Sequence, residues 1–159
     1  MTTTAYAIVD SPIDELLLTA EDGVLTGLHF SPFAIARDWV HDPAQLEPAA
    51  TQLKEYFAGE RTEFELELAP HGTAFQQRVW AMLREIPYGE TTTYGTLAHQ
   101  LGDPKTVRAV GLANGRNPIA VIIPCHRVIG ADGSLTGFGG GLNRKRALLD
   151  LESGVRSLC

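Results

Sequence analysis

Ile122-Ile123-Pro124-Cys125-His126-Arg127-Val128-Ile129 is the segment around which the rest of this chain is arranged. The apolar run 121–123 that leads into it carries β-branched side chains and predicts a short buried segment. Pro124 fixes φ and removes a backbone donor, so the chain must change direction directly before the cysteine. Cys125 therefore lies at a rigid corner between the core and a polar His-Arg pair. A thiol needs a nearby cation or proton acceptor to become the nucleophilic thiolate, and this segment contains both.

The use of cysteine places this corner in a reducing environment. Cys125 and Cys159 are too few for a disulfide framework and lack the spacing of a zinc finger, so we expect a cytoplasmic protein. The N-terminus has no signal-peptide pattern, and no apolar run approaches the ~20 residues that span a membrane. A free cysteine is commonly only a small buried core residue, so the case for a nucleophile depends on the flanking sequence.

Charge is distributed unevenly between the two halves of the chain. Residues 1–70 hold 13 acidic and 3 basic side chains, whereas residues 71–159 hold 6 acidic and 10 basic ones. No acidic residue lies between Asp103 and Asp132, although four basic residues do: Lys105, Arg108, Arg116 and Arg127. This pattern favours a nucleic-acid surface on the second half, although four cations can also be an ordinary fluctuation of surface composition.

The predicted fold class is α+β with two domains, residues 1–70 and 71–159, divided at Pro70-His71-Gly72. The first domain reads as a small antiparallel sheet with one helix and offers no candidate site. Its turn signal is Asp22-Gly23, which is typical of a hairpin. The predicted elements are strands over 4–10, 13–20, 24–30 and 64–68, and a helix from Pro43 to Gly59.

The second domain predicts a helix-turn-helix. Thr73 and Gln76 form a capping box at the start of a helix that ends before Pro87. A second helix begins near residues 92–93 and ends at Gly102, and a third runs from Asp103-Pro104 to about Asn114. Two short helices joined by a Gly-Asp-Pro turn are typical of a DNA-binding helix-turn-helix, although a plain αα-hairpin has the same pattern.

The third helix combines long cations with small residues. Lys105 and Arg108 are the cations, and the small residues are Ala109, Gly111, Ala113 and Gly115. A helix that reads base edges in the major groove would carry more Asn, Gln, Arg or Ser, so this one predicts a close, sequence-tolerant approach to DNA. The alternative is that the small residues pack against the protein's own core.

Two further features follow the cysteine. Residues 127–138, with a turn at Asp132-Gly133, predict a small β-wing, and three glycines follow at 139–141. A last helix over 143–152 directs Ala147, Leu148, Leu149 and Leu151 toward the core. Its final residue, Glu152, is an acid where the helix dipole disfavours one, which indicates a specific partner.

Together these motifs resemble the O6-alkylguanine-DNA alkyltransferases, a family of suicide DNA-repair proteins. The resemblance is close over roughly residues 72–154 and loose over the first domain. The matching motifs are Pro124-Cys125-His126-Arg127-Val128, Arg108-Ala109-Val110-Gly111, Asn117-Pro118, Gly140-Gly141-Leu142, Lys145 and Leu148-Leu149. The resemblance implies a winged-helix-like alkyltransferase domain that flips O6-alkylated guanine out of the duplex and moves the alkyl group once, irreversibly and without a cofactor, onto Cys125.

The same resemblance implies roles for residues around the cysteine. By this resemblance His126 would be the base of Cys125 and act through a water, which agrees with the opposite directions of neighbouring side chains in an extended chain. Glu152 would orient His126, and Asn117 would brace the turn. Among the groups that would meet the base or the DNA are the Tyr94 hydroxyl, the carbonyls of Cys125 and Val128, the Arg108 side chain that replaces the flipped base, and the minor-groove residues Lys105, Ala109 and Gly111.

The chain departs from the family at the leaving group. Relatives usually have tyrosine where this chain has Phe138, and some have serine where it has Gly139. Stabilisation of the departing guanine oxygen is then expected from the Gly139 amide and Tyr94. The family zinc site uses cysteines that are absent here, so no metal is expected.

The expected partner is double-stranded DNA containing O6-alkylguanine, bound by a monomer, with cooperative binding along DNA left open. Three other classes are compatible with parts of the pattern. They are a non-catalytic alkyltransferase-like DNA binder, a winged-helix regulator and a cysteine hydrolase.

Overall fold

The computed structural model describes residues 2–135, 138 and 140–154. It divides into two compact units, Met1–His71 and Gly72–Cys159. The described helices and strands form an α+β arrangement, as the sequence predicts. No helix in the described part of the chain is long and apolar enough to cross a membrane.

The first unit contains a four-stranded sheet. Its strands are β1 (Thr4–Val9), β2 (Leu16–Glu21), β3 (Val24–Phe30) and β4 (Val40–His41), in the order β3-β2-β1-β4. Asp22 and Gly23 both have positive φ, 52° and 79°, as a two-residue hairpin loop requires. The prediction of a wholly antiparallel sheet is wrong, because β4 returns after a long excursion and pairs in parallel with β1.

Helix α1 (Pro43–Phe57) packs against this sheet through Leu46, Ala49, Leu53 and Tyr56. The predicted strand over residues 64–68 is wrong. Only a single parallel bridge forms, between Leu25 and Leu68. Instead, the Gln52 side chain binds both the N–H and the carbonyl of Glu65, at 2.9 and 3.1 Å. A side chain of the helix thus satisfies the backbone that a strand partner would otherwise have to satisfy.

The second unit is mainly helical. Its helices are α2 (Ala74–Leu83), α3 (Tyr94–Gln100), α4 (Val107–Gly115) and α5 (Leu142–Ser153), and the short strands β5 (Thr92–Thr93) and β6 (Val128–Ile129) pair in parallel. The predicted capping box is confirmed: Thr73 Oγ1 accepts from Gln76 N at 3.1 Å, and Gln76 Oε1 accepts from Thr73 N at 2.9 Å.

The two helices of the predicted helix-turn-helix, α3 and α4, pack against each other, and α4 also packs on α2. The third predicted helix begins as a 3-10 turn over Pro104–Thr106, where Asp103 Oδ1 accepts from Lys105 N at 2.9 Å. The α-helix proper starts at Val107. Trp80 Nε1 donates to the Ala113 carbonyl at 2.8 Å and fixes α4 to α2.

Two predictions for the end of the chain need correction. Strand β6 pairs with β5 and not with a following strand, so residues 130–135 form no wing; they close in a turn in which Gly130 N donates to Ser134 O at 2.8 Å. The remainder of the predicted wing includes Thr136 and Gly137, which lie outside the described residues. In α5 the buried residues are Lys145, Leu148 and Glu152, whereas Ala147 is exposed.

Candidate active site

The cysteine corner is built from a tight buried turn. Residues 119–123 fold back on themselves, with Ile123 N donating to Ile119 O at 2.9 Å. Val121 has a φ of 71°, a strained conformation for a β-branched residue. Asn117 spans this turn, because its Nδ2 donates to Ile123 O at 2.7 Å and its Oδ1 accepts from Ile119 N at 3.0 Å. The apolar run is therefore buried, as predicted, but as a turn.

The reactive segment itself is a 3-10 turn, Cys125–Arg127. Arg127 N donates to Pro124 O at 3.0 Å, and Val128 N donates to the Cys125 carbonyl. The premise that Cys125 and His126 lie in extended chain is therefore wrong. Both His126 and Arg127 are buried, and both side chains reach Glu152 near the end of α5.

Glu152 is the acceptor that joins this network. Its Oε2 lies 2.7 Å from His126 Nε2 and 2.9 Å from Arg127 Nη2, and its Oε1 lies 2.7 Å from Arg127 Nε. A buried carboxylate is tolerable only where such charge-assisted hydrogen bonds replace water. The sequence predicts a specific partner for Glu152 because an acid is unfavourable at a helix end. That partner is the His126–Arg127 pair.

The contact with Glu152 sets which ring nitrogen of the neutral His126 carries the proton. A carboxylate at Nε2 accepts the proton that this nitrogen carries, so the lone pair of the neutral imidazole is on Nδ1. Burial lowers the pKa of His126, although Glu152 acts in the opposite direction, so the ring is neutral near pH 7. Nδ1 is buried and has no hydrogen-bond partner among the described residues. His126 therefore presents an unused proton acceptor next to the cysteine in the chain.

Cys125 is protonated at neutral pH. Burial raises the pKa of its thiol to about 11, against the opposing effects of a hydrogen bond from Asn117, the Lys145 charge and the backbone N–H groups of residues 125 and 126. At pH 7 only about one molecule in 10⁴ would carry a thiolate. The same donors will stabilise negative charge on the sulfur once the proton leaves. Ionisation of this thiol near pH 7 therefore needs a proton acceptor, and the neutral His126 is the candidate.

Two buried side chains near the cysteine were not assigned a role from the sequence. Lys145 Nζ donates to the Val128 carbonyl at 2.6 Å and lies 6.0 Å from the Tyr94 ring centroid. Asn114 Nδ2 lies 3.4 Å from the Cys125 carbonyl, and its buried Oδ1 has no partner in the described part of the chain. The sequence contained one signal that Lys145 is buried: it lies on the same face of α5 as Leu148 and Glu152, three and seven residues further on.

Other predicted site residues are not part of the buried network. Arg108 and Lys105 are exposed at the start of the third predicted helix, and Ala109 and Gly111 are partly buried. A Cβ on Gly111 would lie 4.0 Å from the Tyr94 ring, an ordinary contact. Phe138 is partly exposed and its carbonyl accepts from Gly141 N at 3.1 Å, whereas Gly139 lies outside the described residues. Within the described ranges, no group of three or more His, Cys, Asp or Glu side chains could hold a metal.

Both units match family models. Residues 4–70 match the model described as 6-O-methylguanine DNA methyltransferase, ribonuclease-like domain, and residues 74–154 match that of the DNA binding domain. These matches place the chain among the DNA-binding methyltransferases. This chain belongs to the 6-O-methylguanine DNA methyltransferase family, as the resemblance of its motifs predicts.

Individual relatives are similar over nearly the whole chain. The methylated-DNA–protein-cysteine methyltransferase of Mycobacterium tuberculosis (strain H37Rv) is 57% identical over 150 residues, covering 92% of this chain and 91% of that protein. The protein of the same name from Methanosarcina acetivorans is 51% identical over 151 residues, covering 92% and 97%. The crystal structure of M. tuberculosis OGT in complex with DNA superposes with a TM-score of 0.91, at 55% identity, covering 97% and 96% of the two chains.

Proposed function

We propose that this protein repairs O6-alkylguanine in double-stranded DNA by transferring the alkyl group to Cys125, once per molecule. The single observation that supports this most strongly is the buried His126–Glu152 hydrogen bond next to Cys125 in the chain, because a buried thiol with a raised pKa needs a base and His126 keeps one ring nitrogen unused. The activity is that of a methylated-DNA–protein-cysteine S-methyltransferase, and O6-methylguanine is the main substrate.

The atoms and protons of the transfer balance without any further reactant. His126 Nδ1 takes the thiol proton through a water, a carbon–sulfur bond forms as the carbon–O6 bond breaks, and the released guanine takes up one proton. Glu152 stabilises the imidazolium that forms in between. The product is a thioether, which is a poor leaving group at neutral pH, so Cys125 is not regenerated. Because the alkyl group comes from the DNA itself, no cofactor or metal enters the reaction.

The alkylated base is held by groups around the cysteine. The Tyr94 hydroxyl donates to the guanine ring, and the carbonyls of Cys125 and Val128 accept from its exocyclic amine. The Gly139 amide, together with Tyr94, stabilises the departing oxygen, while Phe138 lines the pocket without contributing a hydroxyl. Asn117 maintains the turn that aligns these groups, as its two contacts across residues 119–123 support.

DNA is bound in the minor groove by the third helix of the helix-turn-helix. The small residues Ala109 and Gly111 allow close approach, Lys105 contacts phosphate, and the exposed Arg108 replaces the flipped base in the stack. The protein acts as a monomer. It acts in the cytoplasm, because Cys125 must remain a free thiol until it meets damaged DNA.

The test is incubation with duplex DNA that carries a radiolabelled methyl group on guanine O6. Stoichiometric movement of label to the protein is the expected result. Binding without transfer would indicate a non-catalytic binder, and release of label into solution with turnover would indicate a hydrolase. A footprint on one defined sequence without transfer would indicate a transcription regulator.

A further inference from the structure

The buried network contains one member that the transfer chemistry does not use directly. Arg127 binds Glu152 through Nε and Nη2, and its Nη1 donates to the Ile86 carbonyl at 2.7 Å. Its guanidinium carbon lies 5.7 Å from the centroid of the Tyr88 ring. Arg127 thus connects the last turn of α5 to the segment Ile86–Gly89, which follows α2.

The segment Ile86–Gly89 also holds the end of α5 by its own contacts. The Tyr88 hydroxyl donates to the Leu151 carbonyl at 3.4 Å. A Cβ at residue 89 would lie 3.2 Å from the Glu152 carbonyl oxygen, and Gly89 has a φ of 83°. Both the close approach and the backbone conformation therefore favour glycine at this position. The segment thus lies close against the backbone of residues 151–152, and Arg127 binds the side chain of Glu152.

Glu152 needs such support for two physical reasons. A carboxylate in the last turn of a helix is disfavoured by the helix dipole, and burial removes the water that would otherwise solvate it. The planar fork of an arginine satisfies both carboxylate oxygens at once and fixes the direction in which Oε2 faces His126. Since the partner of one imidazole nitrogen sets the state of the other, the position of Glu152 decides where the lone pair of His126 lies.

We propose that Arg127, anchored on the segment Ile86–Gly89, is a positioning residue for the transfer and acts through Glu152 on the tautomer of His126. The inference rests on the proposed function insofar as it takes His126 to be the base. The competing account gives Arg127 only the task of neutralising a buried charge, with no bearing on the imidazole.

A kinetic cycle separates these accounts. Single-turnover transfer from free O6-benzylguanine is measured for the intact chain and for Arg127→Gln, Arg127→Lys, Glu152→Gln and the double variant Arg127→Gln/Glu152→Gln. We expect Arg127→Gln to slow transfer at least about tenfold, and the double variant to be no slower than Glu152→Gln alone. Arg127→Lys should recover part of the rate, because an ammonium keeps the charge but cannot bind Glu152 and Ile86 as a fork. Arg84→Gln, an exposed arginine after α2, is the matched control and should transfer at the normal rate.

Losses that multiply in the double variant, or an unchanged rate in Arg127→Gln, would overturn the proposal. If Arg127→Gln prevents folding, the same cycle is run with Arg127→Lys in its place: the rates of Arg127→Lys, Glu152→Gln and the double variant Arg127→Lys/Glu152→Gln are compared. None of these variants leaves the carboxylate of Glu152 without a cation beside it.

A second measurement does not depend on any transfer activity. Nitrogen-15 NMR of the imidazole at neutral pH should show His126 protonated at Nε2 in the intact chain, and a mixture of tautomers in Arg127→Lys. An unchanged Nε2 tautomer in this variant would refute the positioning role even if transfer is slowed. An intact chain that transfers nothing would refute the proposed function, while the NMR result would still decide the role of Arg127.

Discussion

At the scale of single residues, the chemistry depends on two opposite effects of burial. Burial raises the pKa of the Cys125 thiol and lowers the pKa of the His126 imidazole, so at neutral pH the thiol is protonated and the ring is neutral, as the proposed proton transfer requires. Thiolate formation can then be coupled to attack, because the proton has a destination inside the protein. A reactive anion need not be present before the substrate arrives.

This arrangement predicts an unusual dependence of the rate on pH. The pKa of His126 is lowered from 6.5, so the base is lost only as pH falls below that value. Because the pKa of Cys125 is about 11, the thiol form predominates up to that pH. Single-turnover transfer from free O6-benzylguanine should therefore be flat between about pH 7 and 9 and decline in acid. A tenfold rise per pH unit across that range would mean that thiolate formed in equilibrium with solvent controls the rate.

Phe138 offers a second prediction at this scale. If the hydroxyl of the tyrosine found in relatives assists departure of the guanine oxygen, Phe138→Tyr should accelerate transfer by roughly tenfold to a hundredfold. Binding of alkylated DNA should change far less, because the ring keeps its shape. Single-turnover transfer at saturating protein, compared between the two proteins, measures the effect. An unchanged or slower rate would show that other groups manage the leaving oxygen.

The residues of the site differ in how far the sequence revealed them. Cys125 and His126 are adjacent in a distinctive motif, and the unfavourable place of Glu152 at a helix end indicates a specific partner. The buried positions of Arg127 and Lys145 were not predicted, because a basic residue is ordinarily read as a surface cation, although the spacing of Lys145 with Leu148 was a signal of burial. Only the folded chain shows that one faces Glu152 and the other faces the Val128 carbonyl.

At the scale of elements, α4 has one exposed side with a cation and one side that faces the interior. Arg108 is exposed on this helix, whereas Val110, Ala113 and Asn114 face the interior. Arg108→Ala should slow repair of duplex DNA much more than reaction with free O6-benzylguanine, because holding a base out of the stack costs a few kcal/mol and a free base has no stack. The two rates are measured side by side, with Arg84→Ala as the charge-matched control. Equal losses on both substrates would assign Arg108 to the fold or the pocket.

Elements with strong local signals were predictable, and those set by distant partners were not. The capping box of α2 and the hairpin at residues 22–23 depend on neighbouring residues alone. The predicted strand over 64–68 alternates correctly, but Gln52 of α1 binds the backbone of Glu65, and pairing with β3 is limited to one bridge at Leu25. Likewise, β6 was expected to begin a wing, yet its partner is Thr92–Thr93, more than thirty residues earlier. Periodicity identifies a segment that can be extended but does not identify its partner.

At the scale of the whole molecule, a net charge of −6 opposes DNA binding while the second half carries +4. Affinity should therefore depend strongly on salt and weakly on sequence, since phosphate contacts dominate. Removal of one such contact by Lys105→Ala should reduce the slope of log affinity against log salt concentration by about one. Lys54→Ala, which removes a lysine from the acidic first unit, is the control and should leave the slope unchanged. Protection of one defined sequence would contradict this prediction.

On the proposed mechanism, Cys125 accepts one alkyl group and is consumed. This is measured by mass spectrometry of the intact protein and its peptides after exposure to excess duplex DNA containing O6-methylguanine. We expect one added methyl group per chain, located on Cys125, with no further repair however much substrate remains. Cys125→Ser should bind the same DNA and acquire no methyl group. A methyl group on Cys159, more than one repair event per chain, or transfer by the serine variant would refute this mechanism.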